Sequence, residues 1–310
     1  MTTSTDAGLI PLYTTQFSTN LEMLLQQAGS KLRGRCDEGF HVGKMASPIN
    51  QVSAITAKAP AGRFTPMPRV DAEYVRRWVS PQALELPQLV DAFDELQTIL
   101  DPKPKLVEAA AYAIGRAWDD LLIANTTGNA QLGQDPGGLS TETFSTSSFQ
   151  IASTFKSSAA NGLSVDKLIE ARRILRHYHN DLDQERPTAV IGSQQEADLL
   201  SLVQVVSTEF NDRPVLVDGR VRQFLGFDIV VSERLPQTTV GSVRGVLVFV
   251  RSGLYLGIWQ DMTSRISQRN DLSGEPWQIY TKVMFGATRT QPGKVIQILC
   301  ADTSGGDITP

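Results

Sequence analysis

The sequence has 310 residues, of which 41% are hydrophobic and 20% are charged. A chain of this size buries on the order of 75% of its unfolded surface, which is enough for one large domain or two small ones and excludes a mini-protein. The formal net charge is -4, so a dedicated nucleic-acid binder is excluded and any DNA contact must be local.

The cysteines and the first residues bear on the cellular compartment. Cys36 and Cys300 form neither a CxxC pair nor the close-set pattern of a secreted disulfide framework, so we expect a reducing compartment. The stretch from Met1 to Gly8 has no basic region followed by an apolar run, which indicates no signal peptide. No stretch approaches the roughly 18 apolar residues of a membrane span, and we expect no membrane partner.

The first forty residues combine an amphipathic stretch with a basic one. The apolar spacing from Phe17 to Gln27 predicts a short helix that ends at Gly29, with one stripe formed by Phe17, Leu21, Leu24 and Leu25. Three basic residues follow this stretch: Lys31, Arg33 and Arg35. They are typical of a solvated connector, and the alternative is a contact with nucleic-acid phosphates.

Residues 40–90 are rich in proline and poor in clustered apolar residues. Prolines occur at positions 48, 60, 66, 68, 81 and 87, and the alternation from Tyr74 to Val79 predicts extended chain rather than helix. The region has too few apolar residues for a core of its own. It is typical of a long hairpin or arm that lies on another part of the chain or on another subunit.

The strongest helical pattern runs from Asp101 to about Asn125. Asp101 is a suitable N-cap, Pro102 is suited to the first turn, and Gly128 is suited to the C-terminal end of the helix. The apolar face of this predicted spine helix consists of Leu106, Val107, Ala110, Ala111, Ile114, Ala117, Trp118, Leu121 and Leu122.

The remaining sequence alternates between loop, helix and strand signals. Residues 126–163 are rich in Gly, Ser, Thr and Asn, which predicts a loop or a small sheet, and Ser164 caps a second predicted helix that ends near Tyr178. A third helix, opened by a capping box of Ser193 and Glu196, ends near Val203. The predicted strands are Thr188 to Ile191, Val215 to Val217, Phe227 to Val231, Gly245 to Val250, Tyr255 to Trp259, Ile279 to Phe285 and Val295 to Leu299. One strand–helix step among antiparallel strands indicates an α+β fold.

Sequence motifs for phosphate binding, serine hydrolysis and metal binding are missing. The glycine-containing stretch before Lys44 lacks the spacing of a phosphate-binding loop, and GxSxG does not occur. His177 and His179 point to different sides of a helix and cannot share a metal ion, while His41 stands alone.

The cysteines and carboxylates form no recognisable active site. Cys300 lies in an apolar strand and is predicted to be buried and inert, whereas Cys36, next to Arg35, is a candidate for mild reactivity. We therefore predict no enzymatic activity, no cofactor and no metal site. Two pairs of neighbouring carboxylates are interpreted as parts of solvent-exposed helix faces rather than as acid–base pairs: Asp91 with Asp94, and Asp119 with Asp120.

Two stretches and the order of elements resemble a known family. The stretches are FDELQTILDPKPKLVEAAAYAIGRAWDDLLI, from Phe93 to Ile123, and YTKVMFGATRTQPGKVIQILC, from Tyr280 to Cys300, the latter preceded by VFVRSGLYLGIWQDMTSRI from Val248 to Ile266. The sequence resembles the major capsid protein of tailed bacteriophages, with the Hong Kong 97-type fold. The resemblance spans roughly residues 16 to 302 and rests on element order rather than on a catalytic signature.

The resemblance implies a division of the chain. Residues 1–39 are then the N-arm, 40–90 the extended E-loop, 91–186 and 276–302 the peripheral domain with its spine helix, 187–275 the axial domain, and 303–310 a flexible tail. Contacts with the adjacent subunit are expected at Arg63, Arg69, Arg76, Arg77 and Trp78, because arginine and tryptophan are favoured at interfaces. Contacts with DNA at the inner surface are expected at Lys31, Arg33 and Arg35.

The function implied by the resemblance is mechanical. Copies of the chain would assemble in the host cytoplasm into hexamers and pentamers of an icosahedral virion shell that encloses double-stranded DNA. A separate scaffolding protein and a portal are expected partners. Some relatives crosslink a lysine of the E-loop, for which Lys44 and Lys58 are formal candidates.

Two alternatives stay open at the level of sequence. An encapsulin-like nanocompartment would share the fold and would hold a protein cargo instead of DNA. A soluble α+β hydrolase with an unrecognised site would instead be a compact, active monomer.

Overall fold

The structure is a computed structural model. It describes residues 23–59, 62–63, 65–67, 69–91, 103–134, 137–201, 216–217, 220–238 and 243–302. Predictions for residues 1–22, Asp94, Asp101, Pro102, 202–215 and 303–310 lie outside the described residues. Residues 23–27, which the apolar stripe placed in a helix, are not helical, so this part of the prediction is wrong.

The described residues form four α-helices and seventeen strands. The helices are α1 (Lys103–Thr127), α2 (Thr146–Phe149), α3 (Val165–His177) and α4 (Ser193–Ser201). The strands are β1 (Asp37–Phe40), β2 (Ala46–Val52), β3 (Tyr74–Val79), β4 (Gln82–Val90), β5 (Ala130–Leu132), β6 (Ser140–Glu142), β7 (Gln150–Ile151), β8 (Thr188–Ile191), β9 (Leu216–Val217), β10 (Arg220–Val221), β11 (Gln223–Phe224), β12 (Phe227–Val231), β13 (Gln237–Thr238), β14 (Val243–Phe249), β15 (Leu254–Gln268), β16 (Trp277–Arg289) and β17 (Val295–Ala301). Mixed pairing in these sheets, with helices beside them, confirms the α+β class.

The central sheet has the strand order β11-β12-β8-β14-β17-β7, with β13 paired to β14. β8 runs parallel to β12, whereas β14 runs antiparallel to both β8 and β17. Apolar runs such as Val246 to Val250 are buried on both faces, which is the pattern of a strand inside a layered core. Helix α3 packs on this sheet through Leu168, Ala171 and Leu175.

The long sheet has the order β1-β15-β16-β4. β15 and β16 form a hairpin of 15 and 13 residues, and β4 pairs with β16 from Gln82 to Val90 as an edge strand. Helix α1, of 25 residues and about 37 Å, lies on this sheet. The Trp118 ring meets the edge of Phe285 at a centroid distance of 6.0 Å, and Ile114 and Leu122 belong to the same core.

The arm sheet has the order β2-β3-β5-β6 and lies at the base of the region predicted to be an extended arm. Between β2 and β3, the described residues of 53–73 contain neither helix nor strand, and almost all are exposed. The two ends of the predicted region 40–90 therefore lie on the rest of the chain, through β1 with β15 and through β4 with β16, and β3 pairs with β5. Only the stretch between β2 and β3 extends away from these sheets.

Helix caps follow the local sequence with one correction. The Ser164 hydroxyl accepts a hydrogen bond from the Lys167 amide at 3.4 Å, which confirms the predicted cap of α3. The capping box of Ser193 and Glu196 is wrong. Gly192 precedes the helix, and its amide donates to the Gln195 side chain at 3.1 Å. The side chain that reaches back to the start of the helix is therefore that of Gln195, one residue before the predicted Glu196.

Candidate subunit-interaction surfaces

The base of the arm is fixed by a buried guanidinium. Arg77 of β3 is 4% exposed and donates from Nη1 to Glu142 Oε2 at 2.7 Å and to the Arg289 carbonyl at 3.2 Å. Its Nε donates to Gln51 Oε1 of β2 at 3.2 Å. The alternation of β3 turns Arg77 inward with Val79, toward the end of β16. Both strands of the arm are therefore tied to β6 and β16.

A second buried arginine continues this network to the spine helix. Arg289 is fully buried, and its Nη1 donates to the carbonyls of Thr126 at 3.1 Å and Gly128 at 2.8 Å. Burial lowers the pKa of the Arg289 guanidinium, nearby Arg77 lowers it further, and Glu142 opposes both effects. A cation at the carbonyl end of α1 is stabilised by the helix dipole, which offsets part of the burial cost.

The predicted subunit contacts separate into two groups. Arg63, Arg69 and Arg76 are exposed, and Arg69 and Arg76 make only surface contacts, with Asp71 at 2.8 Å and with the Gln134 carbonyl at 3.3 Å. Trp78 is half-buried and donates from Nε1 to the Gly133 carbonyl at 2.9 Å. The Arg77 side chain is buried within its own subunit, so we no longer assign it a contact with the adjacent subunit.

Apolar side chains are exposed along the arm and at its base. Met67 is 92% exposed, and Ile55 is 59% exposed. Surface apolar side chains at this density are a marker of a protein–protein contact. The others are Val52, Val70 and Tyr74.

The basic residues predicted to meet DNA all bind acceptors of the same chain. Lys31 Nζ donates to the Val231 carbonyl at 2.8 Å, and Arg35 pairs with Asp228 at 3.2 Å. Arg33 pairs with Asp261 at 3.2 Å and lies over the Trp118 ring at 4.1 Å. This segment therefore joins α1, β12 and β15, and its contact with DNA stays a prediction.

Asp119 is buried, so the prediction that it lies on a solvent-exposed face of the spine helix is wrong. Its carboxylate is fully buried and accepts hydrogen bonds from the Ser30 hydroxyl and from the amides of Lys31 and Leu32. Asp120 does face outward and pairs with Arg234. The sequence contained a signal: Asp119 lies four residues after Gly115 and three before Leu122, on the buried stripe of the helix.

Both cysteines and His41 lie in partly or fully buried surroundings. Burial raises the pKa of the Cys36 thiol to about 12, so the expected mild reactivity is wrong. Cys300 is buried as predicted, and burial raises its pKa to about 12 as well. His41 Nε2 lies 2.7 Å from the Tyr255 hydroxyl, and burial lowers the pKa of His41.

Over the described ranges, no three His, Cys, Asp or Glu side chains are grouped so that they could hold a metal ion. In the part of the chain that the structure describes, no helix has the length and apolar character needed to cross a membrane. The features that stand out are therefore the anchored arm and the exposed side chains it carries.

Comparison with known proteins identifies the family. A family model described as phage capsid protein matches residues 9–302. The chain belongs to the phage capsid protein family. None of the curated proteins matches this capsid protein in sequence. Family membership implies a structural role in a shell, rather than that of the soluble hydrolase considered as an alternative.

Solved capsid structures share the fold of this phage capsid protein. The capsid of cyanophage P-SCSP1u has a TM-score of 0.75 at 14% identity, covering 98% of this chain and 97% of that chain. The capsid of Ralstonia phage GP4 has a TM-score of 0.71 at 11% identity, covering 98% and 100%. The capsid of cyanophage Pam1 has a TM-score of 0.70 at 10% identity, with the same coverage of 98% and 100%. At such low identity these matches establish the fold of this major capsid protein, and not its individual contacts.

Proposed function

We propose that this capsid protein assembles with itself into hexamers and pentamers of an icosahedral shell that encloses double-stranded DNA. The observation that carries the proposal is the arm between β2 and β3. Its base is held by Arg77, Glu142 and Arg289, whereas side chains beyond the base, such as Met67, are exposed. A fixed base with an exposed apolar extension is suited to reach over a neighbouring copy.

We further propose a Hong Kong 97-type division of the chain, with the packing as its guide. The axial domain comprises the central sheet with α3 and α4, and the peripheral domain comprises α1 with the long sheet. This differs from the boundaries at 187–275 and 276–302, because β15 pairs with β16 and β17 lies between β14 and β7. The proposed N-arm shortens from residues 1–39 to the chain before β1, and the proposed E-loop shortens from residues 40–90 to the stretch between β2 and β3.

The partners follow from this assignment. The proposed contacts with the adjacent subunit are Arg63, Arg69, Arg76 and Trp78, since the three arginine side chains are exposed and Trp78 is only half-buried. DNA is held mainly by confinement, with Lys31, Arg33 and Arg35 as candidate contacts at the inner surface. A separate scaffolding protein and a portal complete the assembly, which takes place in the host cytoplasm.

The test is the size of the particles formed by the purified chain. Light scattering and negative-stain microscopy should show rings or closed shells tens of nanometres across. A species of 33.9 kDa that stays monomeric at high concentration and with crowding agents would contradict the proposal. DNA rather than protein inside the shells would separate a virion shell from an encapsulin-like compartment.

A matched pair of variants tests the arm. Replacing Ile55 and Met67 by serine should abolish shells while leaving the subunit folded, because both side chains are exposed and contribute little to the core. Ile169→Ser is the control, since Ile169 is 51% exposed on α3, away from the arm. Shell formation by the arm variant at the level of the control would exclude the arm as the contact.

A further inference from the structure

The chain before β1 is attached to the spine helix in two chemically different ways. Leu32 and Cys36 are 2% and 1% exposed and pack in the same core as Trp118 and Leu122. Residues 27–31, which precede this anchor, include no fully buried side chain. Their attachment to α1 is polar, so the two parts differ in what it costs to detach them.

Asp119 supplies most of the polar attachment. Its Oδ2 accepts from Gln27 Nε2 at 2.6 Å and from the Lys31 amide at 3.0 Å. Its Oδ1 accepts from the Ser30 hydroxyl at 2.5 Å and from the Leu32 amide at 3.1 Å. Four donors on one fully buried carboxylate compensate for its lost hydration only while residues 27–32 stay in place.

Gly115 makes the close approach of this segment possible. A Cβ at position 115 would lie 2.5 Å from the carbonyl carbon of Gly29 and 2.7 Å from the Ser30 nitrogen. Gly29 itself has φ of +69°, a left-handed conformation that favours glycine. The backbone of residues 29–30 therefore rests directly on the helix backbone, one turn before Asp119.

We propose that residues 27–31 form a releasable latch on α1, held closed by Asp119 and seated on Gly115. Opening the latch transfers only polar groups to water, including the Leu32 amide, and rehydrates the buried carboxylate, while the side chains of Leu32 and Cys36 stay anchored. Gly29 and Gly34, which both have positive φ, lie on either side of Leu32 and allow the chain to change direction there. Residues 27–31 can therefore be closed on α1 or open, while the rest of the subunit keeps the same structure.

The device belongs to a single subunit, so its test does not depend on shell formation. The experiment measures hydrogen exchange over residues 23–36 in the full-length, unassembled chain, for Gly115→Ala, Asp119→Asn and the wild type. Both variants should accelerate exchange of the Lys31 and Leu32 amides by about tenfold or more, with the rest of α1 unchanged. Trypsin should also cleave after Lys31 faster in both variants.

Asp120→Asn is the matched control, because Asp120 is the next residue on α1 and pairs with Arg234 outside the latch. Gly115→Ala is informative for a second reason, since alanine favours the helix and should not lower the melting temperature of the body. Exchange in both latch variants equal to that of Asp120→Asn would overturn the proposal. Faster exchange throughout α1 and the long sheet would overturn it too, because Asp119 would then be required for the fold as a whole.

Discussion

Arg77 of the arm and Glu142 of β6 form an ion pair of 2.7 Å in which the arginine side chain is 4% exposed and the glutamate side chain 27%. Sixty-five residues of sequence separate them. The pair fixes β3 against β6, and the Arg77 contact with the Arg289 carbonyl extends this attachment to the end of β16. A buried charge network that includes Arg77 therefore holds the base of the arm against β6 and β16.

Removing the carboxylate of this network should be costly. Glu142→Gln leaves the buried guanidinium groups of Arg77 and Arg289 without their shared anion, so the free energy of unfolding should fall by about 3 kcal/mol. Urea unfolding measures the effect. Glu170→Gln is the control, because the Glu170 pair with Arg173 lies on the surface of α3 and should cost less than about 1 kcal/mol. Equal losses in the two variants would show that the network contributes no more than a surface pair.

A buried lysine should be equally sensitive. Lys167 Nζ donates to the carbonyls of Asn161, Gly162 and Leu299 at 2.9, 3.0 and 2.9 Å. Lys167→Met should lower the free energy of unfolding by about 3 kcal/mol, because these oxygens lose a charged donor in a buried site. Lys156→Met, which removes an exposed pair with Asp166, should have little effect. A stability of Lys167→Met within experimental error of that control would refute the role of the ammonium group.

The two thiols should make the protein sensitive to alkaline pH. Both have a folded-state pKa raised to about 12 by burial, whereas an unfolded cysteine titrates near about 8.5. A raised folded pKa means that the unfolded chain releases protons first, so this contribution to stability is complete below about pH 8.5 and is lost as the pH rises toward 12.

The measurement that tests this compares how steeply the free energy of unfolding falls with pH in two proteins. Between pH 9 and 10.5, stability of the wild type should fall more steeply than that of a Cys36→Ala, Cys300→Ala double variant, by up to about 1.4 kcal/mol per pH unit for each thiol. Comparing slopes removes the constant loss from the cavities left by alanine. Parallel pH profiles would contradict the raised pKa values of both thiols.

The elements that were predicted well are those with strong local patterns. β8 and β12 have the predicted bounds, because short apolar runs bounded by turn residues mark buried strands. α3 begins and ends where Ser164 and Tyr178 indicated, because its buried face leaves a helical periodicity. β15 was predicted as Tyr255 to Trp259 but continues to Gln268. Its distal half is exposed, so pairing with β16 and not apolar alternation makes it a strand.

The polar contacts that organise the molecule were beyond prediction from sequence. Asp119 binds residues about ninety positions earlier, and Arg289 binds carbonyls more than 160 positions earlier. The position of Asp119 on the buried stripe of its helix indicates burial, but the partners of a buried charged residue are brought together only by the fold. The family could be recognised from element order because this order reflects the whole architecture.

The position of β17 has a consequence for how the protein is made. This strand lies between β14 and the edge strand β7 of the central sheet, antiparallel to β14 from Val295 to Ala301 and parallel to β7. A nascent chain on the ribosome lacks this strand until residue 301 has emerged, so the central sheet cannot be completed before synthesis has reached that point.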